Sequence, residues 1–531
     1  MPPNPLQPAV GALSPRAMAV LLALSAALLL FRLGAVPLLG PDEPRYARVA
    51  VEMHRSGDHV TPTLQGRPWL EKPALYYWLA GAAFSLFGET ETAARLPSVA
   101  SGLLFTCATA LFGARLYGSR AGLCAGFVLA TSLLPFAYSR AAAMDMLLAA
   151  TVTVATGLAG LRVLGIAGRL AIPTAFAFMG LATLAKGPLG VLLPGLVVAG
   201  YLLAARDRSL WREVLSPVAV AIFLLVAAPW YVLVTLAQGR SFLEVFLLNQ
   251  NLERFTSTVH HHPGPLLYYI PVVVAGLFPW SGLVLPGLAG LHPRRSKADL
   301  FLLLWLLLPL VFFSLAGAKL PGYILPCLCP LALLMGRAAA QWLEGSTAAD
   351  RSWGTPRAAG MLGVLLGALF AATPAWLLRI RDPDWALALP CGLWALIVSF
   401  GAARRLGRDP VGALRLLRVG GAGLLLLLAL AAPPVLARQE SGRKLLLPAM
   451  GREVLAWGAW RTAWMAGYFY NDGKVREVGG LKEVMEAAAG GPVLVLAGPA
   501  ERRQLEGIPS LATHLLAEGV RGNVLLRVEL R

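Results

Sequence analysis

The chain has 531 residues, 57% of them hydrophobic and 14% charged, whereas an ordinary soluble domain carries roughly a quarter charged residues. This excludes a string of three or four soluble domains and identifies a polytopic α-helical membrane protein. The formal net charge of +18, which would suggest a nucleic-acid partner in a soluble chain, becomes an orientation signal here, and no nucleic acid is expected.

A bilayer core of about 30 Å needs about 20 helical residues. Windows of that kind lie near 17–39, 94–114, 121–138, 145–164, 170–185, 188–205, 214–237, 268–290, 299–316, 321–340, 358–378, 385–403 and 416–437, thirteen in all. The first has no small-x-small cleavage site after it and is expected to be an uncleaved span. The apolar run ALYYWLAGAAFSLFG (74–88) is left out, because as a helix it would be only about 22 Å long. Its Tyr76, Tyr77 and Trp78 are types that settle at the membrane interface, so it is expected to lie on the surface.

With the N-terminus inside, the cytoplasmic connections carry 19 basic and 6 acidic residues, and the other side before residue 438 carries 14 and 12. The positive-inside rule supports that frame, and an odd number of spans delivers the tail outside. From about 440 charges return, and PVLVLAG (492–498) and NVLLRVEL (523–530) read as strands around the helical stretch LKEVMEAAA (481–489). The expected organisation is a transmembrane domain over 1–439 and a small α/β domain over 440–531. Cys107, Cys124, Cys327, Cys329 and Cys391 all lie in apolar stretches and are read as packing residues.

Polar residues of the outer side gather in two loops, 40–93 and 238–267. In the first, Asp42 is expected to cap a helix with Pro44 in its first turn, ending near Ser56 and Gly57. Tyr46, Val49, Ala50 and Met53 form one apolar stripe, with Arg45, Arg48, Glu52 and Arg55 off it. Asp42 and Glu43 could merely compensate the helix dipole. Glu71 supplies a second carboxylate, and Asp145 sits at the outer mouth of a span, where an unpaired aspartate costs about 2–3 kcal/mol and so should face protein or water. Lys72, Lys186 and Lys319 fall at outer span ends; singly they read as snorkelling lysines, but together with Arg45 they suit a lipid phosphate. The second loop contains His260, His261 and His262, one of which could bind zinc or a similar divalent ion together with Glu71.

The run GPDEPRYARVAVEMHRSGDHVTPTLQGRPWLEKPALYYWLAG, followed in order by LAKGP, NLERFTSTVHHHPGPLLYYIP, GLFPWSG and KLPGYILP, resembles the bacterial lipid A aminoarabinose transferases. These belong to the protein-O-mannosyltransferase-like group of GT-C glycosyltransferases. The resemblance covers about residues 15–340. It implies a fold of thirteen spans with a periplasmic C-terminal α/β domain, in a multi-pass protein of the bacterial inner membrane. It also implies inverting transfer of a sugar, 4-amino-4-deoxy-L-arabinose, from undecaprenyl phosphate to a periplasmic acceptor, lipid A phosphate. Asp42, with Glu43, matches the family's catalytic DE motif, and Asp145 matches a second functional aspartate. Arg45, Tyr46, Lys186 and Tyr323 match cavity residues, and Lys72 a contact to the carrier phosphate. Glu71 and His260, with His262 as the alternative, match metal-binding positions.

Two competing readings remain. One is a polyprenyl-phosphate-dependent hexosyl or mannosyl transferase acting on protein or another glycan. The other is a lipid or sugar transporter, against which stand the scarcity of mid-span charges and the lack of a visible half-repeat.

Overall fold

The computed structural model describes residues 13–206, 209–242, 244–246, 264–344 and 355–531. It divides into two compact units: Met1–Phe31, Leu70–Tyr76 and Pro97–Leu428 form one, and Arg32–Trp69, Tyr77–Leu96 and Ala429–Arg531 the other. The compact units therefore do not follow chain order, because most of the first long loop clusters with the tail.

The first unit is a bundle of apolar helices. Such sequences become helical in a membrane because no water is present to satisfy exposed backbone groups. Among the described residues nine helices are long and apolar enough to cross, or eleven if two bent pairs each count as one span. Those pairs are Ser119–Ala130 with Leu133–Ser139, bent by 63°, and Tyr269–Gly276 with Trp280–Ala289, bent by 116°. Shorter apolar helices occupy Ala171–Lys186 and Leu189–Ala205, so each of the thirteen windows carries helix.

Burial grades the bundle from centre to rim. In an 18-residue apolar stretch of Asp145–Val163 and of Pro321–Leu343, 89% of the residues are buried, whereas in Leu210–Gln238 the share is 22% and in Arg357–Arg379 17%. Small residues let the central helices touch: a Cβ on Gly113 would stand 2.7 Å from the Cα of Gly122, the kind of close backbone approach that lipid-embedded helices use.

Helix ends meet as alternating crossings require. The first residue of Asp145–Val163 pairs with the last of Ala171–Lys186, with 2.6 Å between Asp145 and Lys186. At the opposite end of the same helix, Arg162 Nη2 bonds Glu213 at 2.8 Å. Arg337 bonds Asp299 at 2.5 Å, and Asp299 also accepts from the Tyr117 hydroxyl at 2.9 Å. The charge rule placed Arg162, Glu213, Asp299 and Arg337 on the cytoplasmic side, and the pairings agree with that grouping.

The second unit contains the helix Asp42–Ser56 and a short antiparallel hairpin, β1 (Thr63–Leu64) with β2 (Arg67–Pro68). Its tail forms a five-stranded sheet from β3 (Val454–Trp457), β4 (Val475–Glu477), β5 (Val493–Ala497), β6 (Leu511–Glu518) and β7 (Val524–Leu530), in the order β4-β3-β5-β7-β6. β3 runs parallel to β4 and β5, and β7 runs antiparallel to β5 and β6. The helix Leu481–Ala489 lays Val484 into a core with Leu455, Val495, Leu505 and Leu526. The two strands and the helix read from the tail's sequence are thus all present.

Two local expectations are corrected. Asp42 is the first residue of its helix, not its cap; Pro41 precedes it, and no side chain caps that end. Arg45, off the apolar stripe as read, is only 8% exposed, because its guanidinium packs on the Tyr46 and Trp69 rings at 5.5 and 4.9 Å. Tyr76 and Tyr77, expected at the interface, are 0% and 1% exposed; the exposed face of the Leu75–Phe87 helix is instead aliphatic and phenyl, with Leu79, Leu86 and Phe87.

Candidate functional site

In the second unit the chemistry gathers at the start of the Asp42–Ser56 helix. Two neighbouring carboxylates have opposite environments. The Asp42 side chain is 51% exposed and paired with Arg45, at a helix N-terminus that favours negative charge. Glu43 is buried, and its Oε2 accepts from Arg95 at 2.6 Å and from the Leu39 N–H at 2.8 Å. Arg95, 2% exposed, also donates to the carbonyls of Leu33, Val36 and Pro37 at 3.0, 2.6 and 2.8 Å. Glu43 is therefore a clamp on the approach to the helix, and Asp42 is the carboxylate left open to a ligand. The buried indole Nε1 of Trp69, whose ring carries the Arg45 guanidinium, has no hydrogen-bond partner among the described residues. Buried donors in native proteins are normally satisfied.

The tail braces this helix within the same unit. Asp472 takes Arg48 and, at 2.7 Å, Arg55. The Tyr470 hydroxyl accepts from the Leu38 N–H at 2.7 Å and donates to Glu91 at 3.2 Å. The Glu440 carbonyl accepts from the Gly40 N–H at 2.8 Å. Burial opposes ionisation of Glu52, but bonds from the Gly66 and Gln65 N–H groups, Arg48 and Thr63 outweigh it and hold its carboxyl below the usual range. Asp472 is likewise lowered, burial being outweighed by its two arginines.

In the first unit a second cluster forms. Asp145 opens one helix and Lys186 closes the next, the ends whose dipoles suit each charge. They pair at 2.6 Å, with side chains 19% and 13% exposed, and Lys186 Nζ lies 4.7 Å from the Tyr323 ring centroid. Gly322 makes this possible, since a Cβ there would stand 2.5 Å from the Tyr138 ring and 2.8 Å from the Asp145 carboxylate. Lys319, 8% exposed, donates to its own Ala316 carbonyl at 2.7 Å. Lys72, 9% exposed, has its Nζ 3.2 Å from the Glu71 carbonyl. Arg140 donates to the carbonyls of Leu28, Leu29 and Phe31, satisfying the end of the Pro15–Leu30 helix.

The structure thus joins Asp42 with Arg45 and Tyr46, and Asp145 with Lys186 and Tyr323. His260 and His262 lie outside the described residues. Among the described residues no group of three His, Cys, Asp or Glu side chains forms a metal site. Sequence reasoning missed Trp69, Arg95, Tyr138, Gly322, Tyr470 and Asp472. Only Arg95 carried a local signal, as the one basic residue in the first turns of an apolar helix.

Residues 71–233 match the family model described as dolichyl-phosphate-mannose-protein mannosyltransferase. An undecaprenyl phosphate-α-4-amino-4-deoxy-L-arabinose arabinosyl transferase from Pseudomonas aeruginosa (strain UCBPP-PA14) is 36% identical over 372 residues, 68% of this chain and 65% of that relative. The protein of the same description from Aeromonas salmonicida (strain A449) is 31% identical over 387 residues, 68% of each chain. The chain belongs to this arabinosyl transferase family. The match spans slightly less than two thirds of the Pseudomonas transferase. Among solved structures, ArnT from Cupriavidus metallidurans bound to undecaprenyl phosphate superposes with a TM-score of 0.78 at 24% identity, covering 96% of this chain and 97% of that one. Its apo state gives 0.77 at 25%, with the same coverage. The fold is accordingly that of a GT-C membrane transferase with a small C-terminal sheet domain, as the arabinosyl transferase motifs implied.

Proposed function

We propose that this protein is an integral-membrane glycosyltransferase that moves 4-amino-4-deoxy-L-arabinose from undecaprenyl phosphate to a lipid A phosphate. In this reading it works at the periplasmic face of the bacterial inner membrane, with inversion at the anomeric carbon. The relatives named for that donor support the reading, and the observation that carries it is the start of the Asp42–Ser56 helix. There an open carboxylate, a cation held on aromatic rings and a buried indole donor without a partner among the described residues stand together.

The reaction breaks the bond between the anomeric carbon and the carrier phosphate as an acceptor oxygen attacks the opposite face. Charge grows on the departing phosphate, and cations held in place beforehand stabilise it most. We assign that role to Lys72, Lys186 and Lys319. A lipid A phosphate, with a second pKa of about 6, is already ionised and needs no base. Asp42, steadied by Arg45, then orients the acceptor or holds the sugar's ammonium group; for a hydroxyl acceptor it would serve as general base. Glu43 is assigned to structure, on the strength of its clamp with Arg95.

We also propose that Glu71, with His260 or His262, takes a divalent ion such as zinc. The described residues supply only the carboxylate, so no step is derived through the ion; its chemistry would be added positive charge beside the phosphate. Elemental analysis should find less metal in Glu71→Ala than in the parent, and equal metal would end the assignment. For the reaction, lipid A from cells with and without the gene is compared by mass spectrometry. A gain of one aminopentose is expected. A hexose on protein or another glycan would favour the runner-up, which the mannosyltransferase model over 71–233 supports.

A further inference from the structure

Away from both clusters, the first unit contains a cleft of about 320 Å³ lined from the Ser119–Ala130, Leu325–Leu343 and Pro410–Gln439 helices, together with Trp280. Its walls include Phe127, Trp280, Leu343 and Leu414, and it also has Arg415 and Arg418. The volume is at the lower end of ordinary ligand pockets, roughly 300–1,000 Å³. The two arginines are three apart on one helix and so share a face. Among the described residues neither forms an ion pair, and the described acids nearby are engaged. Glu344, just past the Leu325–Leu343 helix, pairs with Arg120 at 3.3 Å, and Asp409 accepts from the Gly412 N–H at 2.8 Å.

A snorkelling arginine reaches past its helix into water. Arg415 and Arg418 are both exposed at the cleft, and Arg418 also lies over the Phe127 ring, its guanidinium carbon 5.1 Å from the centroid, which holds its charge beside the cleft wall. An apolar cleft between membrane helices with two guanidinium groups that no described acid pairs with matches an anionic phospholipid in both parts. The forks suit phosphate oxygens, and the aromatic and aliphatic wall suits an acyl chain.

We propose that this cleft binds an anionic phospholipid, with its phosphate on Arg415 and Arg418 and a chain against Phe127, Trp280 and Leu414. A zwitterionic headgroup would bring its own cation towards the pair and is disfavoured. Basic pockets between membrane helices on the cytoplasmic side are known to take such headgroups, and the charge rule places Arg415 and Arg418 on that side.

The test is native mass spectrometry of the full chain in detergent, titrated with phosphatidylglycerol or with phosphatidylcholine. Phosphatidylglycerol is expected to bind preferentially, and Arg415→Gln with Arg418→Gln to weaken it about 25-fold, or about fivefold for each charge. Arg404→Gln is the control: its guanidinium packs on Phe400 at 4.4 Å, outside the cleft, and its affinity should match the parent. Replacing both arginines by lysine keeps the charge and should retain binding within a few-fold, which guards against loss through misfolding. Unchanged phosphatidylglycerol affinity in the glutamine variant, equal binding of phosphatidylcholine, or a lysine variant as weak as the glutamine one would each overturn the proposal.

Discussion

Replacing Glu43 by Gln, beside Asp42→Asn as its neighbour control, separates structure from chemistry one residue apart. Among the described residues Glu43 is the one carboxylate paired with Arg95, which is 2% exposed and otherwise donates to three backbone carbonyls. Removing one partner of a buried pair costs about 3–5 kcal/mol, because the remaining charge is left uncompensated. The low end applies, since the glutamine oxygen can still accept from the Leu39 N–H. A compact unit of this size loses roughly 2–4 °C of midpoint per kcal/mol, so Glu43→Gln should lower the thermal midpoint by about 6–12 °C. Asp42, 51% exposed, sits in a surface pair worth about 0–1 kcal/mol. Asp42→Asn should therefore unfold within about 4 °C of the parent while losing transfer. The assay is intrinsic-fluorescence melting of the detergent-purified protein, alongside transfer from a polyprenyl-phosphate donor. Equal midpoints for the two variants would refute the clamp, and near-normal turnover in Asp42→Asn would remove Asp42 from the reaction.

Three further outcomes follow from the same geometry. Because Glu52 and Asp472 have lowered folded pKa values, their stabilisation is complete above the unfolded values of about 4.3 and 3.9 and is lost as pH falls through the folded ones; melting below pH 4 should bring the parent and Asp472→Asn together, and a constant gap down to pH 3 would contradict the pairing. Gly322→Ala should abolish most transfer by driving a methyl into Tyr138 and Asp145, and unaltered turnover would show that this approach does not matter. Lys186→Gln leaves Asp145 unpaired at a span end, at a cost of about 2–3 kcal/mol, and adding Asp145→Asn should restore the melting midpoint but not the transfer rate; restored transfer would assign the pair to structure alone.

Much of the fold was legible because its signals are local. Apolar run length marked the thirteen windows, alternation and composition marked the tail's strands and helix, and loop charges marked which ends belong together. The pairing of Arg162 with Glu213 and of Arg337 with Asp299 agrees with that last reading. The candidate site was legible only as a list of candidate residues, through the ordered motifs from GPDEPRY to KLPGYILP.

What each acid does was not legible. Asp42 and Glu43 are adjacent and chemically alike, and only the arrival of Arg95, 52 residues on, buries one and leaves the other open. Gly322 reads as an ordinary turn glycine until Tyr138 and Asp145 are brought against it. Asp472 and Tyr470 sit more than 400 residues from Arg48 and Leu38, and no periodicity spans that distance. Sequence alone determined the membrane class, the helical windows and the candidate residues, because hydrophobicity and helical spacing act over a few turns of chain. Tertiary structure decided burial, pairing and hence the division between clamp and candidate catalyst, because electrostatic environment is set by whichever distant segments pack around a charge.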